Sequence, residues 1–166
     1  MSPQGKNWLG GSQYLLESTS DILALIENQH RQMNTITHSI YVSELKEIEK
    51  QIQLANLIHI FAAHSEAKMR TIYDILKDVN CAQRITFDAM EENAVAKILI
   101  EELEGLDYRR HWNNEIELKA KVLARIIDNH MDQEEEEFFT EVRKALTKSE
   151  IDLVGAQFKE IFLTCF

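Results

Sequence analysis

The chain has 166 residues, of which 45% are hydrophobic and 28% charged, enough for one domain with a core of its own. Its 18 Lys and Arg against 28 Asp and Glu give a formal charge of −10, and the basic residues are scattered among acids, which argues against a nucleic-acid surface and an anionic membrane surface. The opening MSPQGKNWLGGSQY has neither the basic stretch nor the apolar run of a secretory signal, and no window approaches the ~18 uncharged residues of a membrane span. A soluble, cytoplasmic protein with Cys81 and Cys165 reduced is the expectation.

Residues 1–12 read as a loose arm ahead of a single domain over 13–166. Pro3 is the only proline, and the five glycines leave long stretches uninterrupted. A first helix is predicted from about Ser20 to His38, with Asp21 in its first turn. A second runs from about Ser43, as N-cap, to Asp78; Lys46 stands where a capping box would put Glu. VNCAQRIT links it to a third helix over about Phe87 to Leu103, ended by Gly105. The fourth spans about Trp112 to Leu146, and KSEIDLVGAQFKEIF, capped by Ser149, forms a short closing helix. Period-two strand patterns are absent. Four long helices with short links predict an all-α, up-down-up-down four-helix bundle with a short C-terminal helix. Its outer faces leave room for a homodimer, though no sustained second apolar stripe compels one.

The inward stripes carry polar residues near mid-length. Ile22, Ile26, His30, Met33 and Ile36 recur at spacings of three and four on the first helix, and Leu54, Leu57, Phe61, His64, Lys68, Ile72 and Ile75 on the second. The third offers Met90, Asn93, Ala96, Ile100 and Leu103; the fourth offers Leu123, Ile127, His130, Glu134 and Phe138. Burying an unpaired polar group costs several kcal/mol, so polar residues at one level of a bundle should satisfy each other or a shared ligand. For three imidazoles and a carboxylate, the simplest common partner is a metal ion. His38, His59 and His111 lack this placement and read as structural or surface residues. Glu27 and His30 form an ExxH, but without a second one the ferritin-like di-iron arrangement is not expected.

In NHMDQEEEEFF, residues 129–139, a regular α-helix turns by about 100° per residue. Glu134 then lies roughly 40° round from His130 and faces the same interior, while Glu135 and Glu136 point to solvent. Glu137 returns to the His130 direction, but ~10 Å along the axis it is too far to share an ion with that histidine.

Four segments in this order and spacing resemble the hemerythrin-like, or HHE cation-binding, family: DILALIENQHRQM, FAAHSEAKMRTIYDIL, MEENAVAKILIEELEGLD and IIDNHMDQEEEEFFTEV, with LTKSEIDLVGAQF similar to its closing turn. The resemblance implies a four-helix bundle that binds non-haem iron and a small ligand such as dioxygen. In that family two irons are bridged by carboxylates from the second and fourth helices, with histidines supplied by all four. Here Lys68 stands at the second-helix carboxylate position and Asn93 at the third-helix histidine position, leaving His30, His64, His130 and Glu134.

Three readings are open. The first is a mononuclear non-haem site in which His30, His64 and Glu134 resemble a two-histidine, one-carboxylate set, with His130 a fourth ligand or a supporting donor. The second is a metal-free bundle in which Lys68 replaces the ion, pairs with Glu134 and leaves an interaction or scaffold protein. The third is an iron-dependent oxidase that uses Lys68 as a base or as a residue itself modified. A metal- or ligand-binding protein is expected ahead of an enzyme, with one iron rather than two.

Overall fold

The computed structural model of the chain describes residues 19–42 and 44–165; the arm predicted over residues 1–12 and the Ser43 cap lie outside the described residues. The described chain is helical, without strands: α1 (Ile22–Val42), α2 (Glu47–Met69), α3 (Ile72–Leu76), α4 (Gln83–Gly105), α5 (Asn114–Gln133), a π-helical turn (Glu134–Phe138), α6 (Phe139–Ala145) and α7 (Lys148–Thr164). The five longer helices pack together: α1 lies against α2, α5 and α7, α7 also against α2, and α4 against α5 and α2. No helix among the described residues is long and apolar enough to cross a membrane.

Local chemistry places the helix starts. Asp21 precedes α1 and accepts from the backbone N–H groups of Leu23 (2.9 Å) and Ala24 (3.3 Å), so it is a cap and not a first-turn residue. α2 begins at Glu47, and the Lys46 N–H donates to the Glu49 carboxylate at 2.8 Å. Asn113 caps α5 through Ile116 N at 2.9 Å. Thr147, rather than Ser149, caps α7: its hydroxyl accepts from Glu150 N, while its own N–H donates to the Glu150 carboxylate at 2.7 Å. After α4 the left-handed residue is Asp107, with φ 51°, so the turn does not rest on Gly105.

Two predicted helices are not continuous. The second breaks after Met69, because Thr71 leaves helical geometry (φ −129°, ψ −96°) and its hydroxyl donates to Ala67 O at 2.6 Å. Ile75 consequently turns outward and leaves the predicted stripe. The fourth carries the π-helical turn at the glutamate run, where one extra residue in the turn shifts the helical phase of the residues beyond it.

The interior forms two apolar clusters. One contains Ile26, Ala67, Ala89 and Phe138; the other contains Met33, Phe61, Ala96 and Ile127. His30, His64, Asn93 and the His130 to Glu134 segment fall between them along their helices. The polar residues therefore form a buried layer across the core.

Gly155 allows a close approach of α7 to the start of α1. A Cβ there would overlap the Ser20 carbonyl oxygen and sit 2.9 Å from Ile22 N, both backbone atoms with little freedom to withdraw. Alanine in a helix ordinarily gains about 1 kcal/mol over glycine. Gly155→Ala should nevertheless destabilise the protein by about 1–3 kcal/mol, since overpacking outweighs propensity. Gly105→Ala, with nothing within 4 Å, is the matched control and should not lower the urea midpoint.

Candidate metal centre

All six polar residues predicted to point inward are buried, with exposures of 0–2% for His30, His64, Lys68, His130 and Glu134, and 8% for Asn93. Glu134 is the hub. The Lys68 ammonium donates to both its oxygens, at 2.8 and 2.7 Å, and to His130 Nε2 at 3.0 Å, so all three ammonium protons are used. The Tyr73 hydroxyl donates to Glu134 Oε1. Oε2 lies 3.2 Å from His30 Nε2 and 3.5 Å from His130 Nε2.

Burial alone would raise the Glu134 carboxyl, but the Lys68 ammonium, followed by His130 and His30, holds it well below its ordinary range, so it is an anion. Burial lowers the Lys68 ammonium, with Glu134 opposing the shift. Burial and then the Glu134 charge push the Tyr73 phenol well above 10, which keeps it a donor. Burial, reinforced by Lys68, drives His64 well below 6.5, leaving it a neutral imidazole.

Each histidine is held by its outer nitrogen. His30 Nδ1–H donates to Glu135 Oε1 at 2.7 Å, His64 Nδ1–H to Gln29 Oε1 at 2.5 Å and His130 Nδ1–H to Glu92 Oε2 at 2.6 Å. A carboxylate oxygen can only accept, so the outer nitrogens of His30 and His130 carry protons. Such partners turn the other ring nitrogen inward and raise its basicity, as in protein metal sites. Aromatic rings close the layer: Phe139 stacks on His30 with centroids 6.3 Å apart, Phe158 meets His64 edge-on at 6.3 Å, and Phe61 meets His130 at 6.4 Å.

The three inner nitrogens differ. His130 Nε2 accepts from Lys68, but His30 Nε2 and His64 Nε2 have no hydrogen-bond partner although both are buried. Their rings stand edge to face, 5.2 Å apart. A ring nitrogen from each of these two histidines and a Glu134 oxygen lie within 4.8 Å of one another. A neutral His64 imidazole, the His30 imidazole and the Glu134 anion are donor types that fit a divalent cation, which needs deprotonated donors and takes imidazole and carboxylate at about 2.0–2.2 Å. Asn93 does not join these donors: its Oδ1 accepts from the Ser65 hydroxyl at 3.1 Å and its buried Nδ2 has no partner.

Four supporting residues were not among the predicted set. Tyr73 lies five residues after Lys68, about 140° away on an unbroken helix. The break at Thr71 brings it to Glu134. Glu135 is exposed as predicted but also grips His30, because the wider π-helical turn lets adjacent glutamates reach opposite sides of one imidazole. Gln29 and Glu92 adjoin predicted residues but serve histidines on other helices, a pairing that spacing along one helix does not reveal. Glu136 and Glu137 are exposed, while His38 and His111 are exposed and His59 half-buried, all apart from the centre. No protein family, no curated protein and no solved structure matches this chain.

Proposed function

We propose that the chain is a hemerythrin-like metal-binding protein, an up-down-up-down four-helix bundle with a short C-terminal helix that holds one iron ion through His30, His64 and Glu134. The alternation of helix direction is supported by the apolar clusters. Going along α1, α2, α4 and α5, the order in which the two clusters are met reverses at each successive helix, as antiparallel neighbours require. The metal assignment is carried by one observation, the two buried imidazole nitrogens without partners beside the Glu134 anion.

Two histidines and one carboxylate are the donor set of non-haem ferrous sites, and a bound ion would supply open positions for a small ligand such as dioxygen. Gln29 and Glu135 orient the two rings. Lys68 donates to both oxygens of Glu134 and Tyr73 to Oε1, while Oε2 also lies 3.2 Å from His30 Nε2. Phe139 and Phe158 keep bulk water away. Lys68 takes the place of a second cation, which limits the centre to one ion, and His130 becomes a support for that ammonium. The test is metal content after anaerobic loading with Fe(II) and desalting. One equivalent per chain is expected, and His30→Ala and His64→Ala should each lose it; variants that retain the full equivalent would overturn the assignment.

A second reading has its own support. The Lys68 protons are all satisfied by Glu134 and His130, so the ammonium by itself compensates the carboxylate, as in a metal-free scaffold protein. That reading requires no iron after loading and a thermal midpoint indifferent to chelator.

A further inference from the structure

An ion can reach donors this deeply buried only where the wall is thin. The His64 side is closed, since His64 and Gln29 are fully buried and Phe158 covers the ring. On the Lys68 side an entering cation meets an ammonium. A cleft lined by Ala89, Glu92, Glu134 and Phe138 holds only about 10 Å³, room for roughly one water. The third side is different. A groove of about 300 Å³ between α1 and α5 is lined by His30, Arg31, Asn34, Met131, Asp132 and Glu135, so here far more room adjoins a donor of the centre.

His30 lines this groove and also belongs to the centre, and its ring is held at the groove by the bond to Glu135. The Glu135 side chain is 40% exposed against 2% for Glu134, so it can swing outward at the expense of one hydrogen bond. Opening either other side would displace an aromatic ring or the buried ion pair. Glu135 and Asp132 make the groove attractive to cations, and its one cation, Arg31, is paired with Glu27 at 3.2 Å.

We propose that this groove is the port by which a divalent cation enters the His30, His64 and Glu134 centre, with Glu135 as the hinged carboxylate that takes the ion from solvent and then returns to position His30. The port rests on the assignment of a metal to that centre. It gives the π-helical turn a role, because that turn sets one glutamate inside the centre and its neighbour at the mouth.

The test is the rate of Co(II) uptake by chelator-stripped protein, followed by ligand-field absorbance in stopped flow, and the rate of release into excess chelator. Asn34→Trp and Arg31→Trp fill the groove from exposed positions; Ala62→Trp, in a separate surface groove, is the control. A port limits both directions, so the groove variants should slow uptake and release by the same factor with affinity unchanged, and the control should match wild type. Glu135→Gln should slow uptake and also weaken affinity by about 10- to 100-fold, since it leaves His30 a neutral partner in place of a charged one. Stoichiometric Co(II) binding with unaltered rates in both groove variants would overturn the port and leave the centre standing. Absence of stoichiometric binding by wild type would overturn the centre and the port together.

Discussion

Glu134→Gln is expected to lower the stability of the folded protein by about 3–5 kcal/mol and to abolish metal binding. The amide keeps the shape but removes the charge that compensates Lys68, leaving a buried ammonium without its anion. It also removes the one inward carboxylate of the centre, leaving only neutral donors for a dication. Acid titration gives a further check. A carboxylate held low in the fold contributes stability that is complete above its ordinary value of 4.5 and is lost as pH falls through its folded value. Wild type should therefore weaken in acid, and Glu134→Gln should show a shallower acid limb. Glu136→Gln, at an exposed position in the same run, should stay within about 0.5 kcal/mol of wild type. Equal urea midpoints for the two variants would mean that the acidic run acts as a surface patch.

Lys68→Met should destabilise the metal-free protein by a similar amount, about 3–5 kcal/mol, because the Glu134 anion then stays buried without its counter-ion. Methionine retains most of the volume, so the loss is electrostatic. The same variant should bind a divalent ion more tightly than wild type, because an ammonium 2.7 Å from Glu134 Oε2 repels a cation bound to that carboxylate by several kcal/mol even at an effective dielectric of ~20. Added metal should accordingly raise the thermal midpoint of Lys68→Met more than that of wild type. A variant that is destabilised and gains nothing from metal would favour the scaffold reading, in which Lys68 is the resident cation.

The radial direction of side chains was legible wherever the backbone is an unbroken α-helix. His30, His64, Lys68, Asn93, His130 and Glu134 all lie inside, as their spacing from Ile26, Phe61, Ala96 and Ile127 requires. The sequence by itself also determined the all-helical class and the polar layer at mid-length, because apolar periodicity of 3.6 residues is written directly in residue types.

Only the tertiary structure decided which polar groups meet. Tyr73 reaches Glu134 because the chain leaves helical geometry at Thr71, and Glu135 reaches His30 because the glutamate run forms a π-helical turn. Both depend on departures from the regular hydrogen-bond ladder, whose position helical periodicity does not encode. Gln29 with His64, Glu92 with His130, and Lys68 placed so that it serves Glu134 and His130 together depend on the axial offset and crossing of packed helices. Those are fixed by how side chains interlock between helices, as at Gly155 against Ser20, and not by the spacing along any one of them.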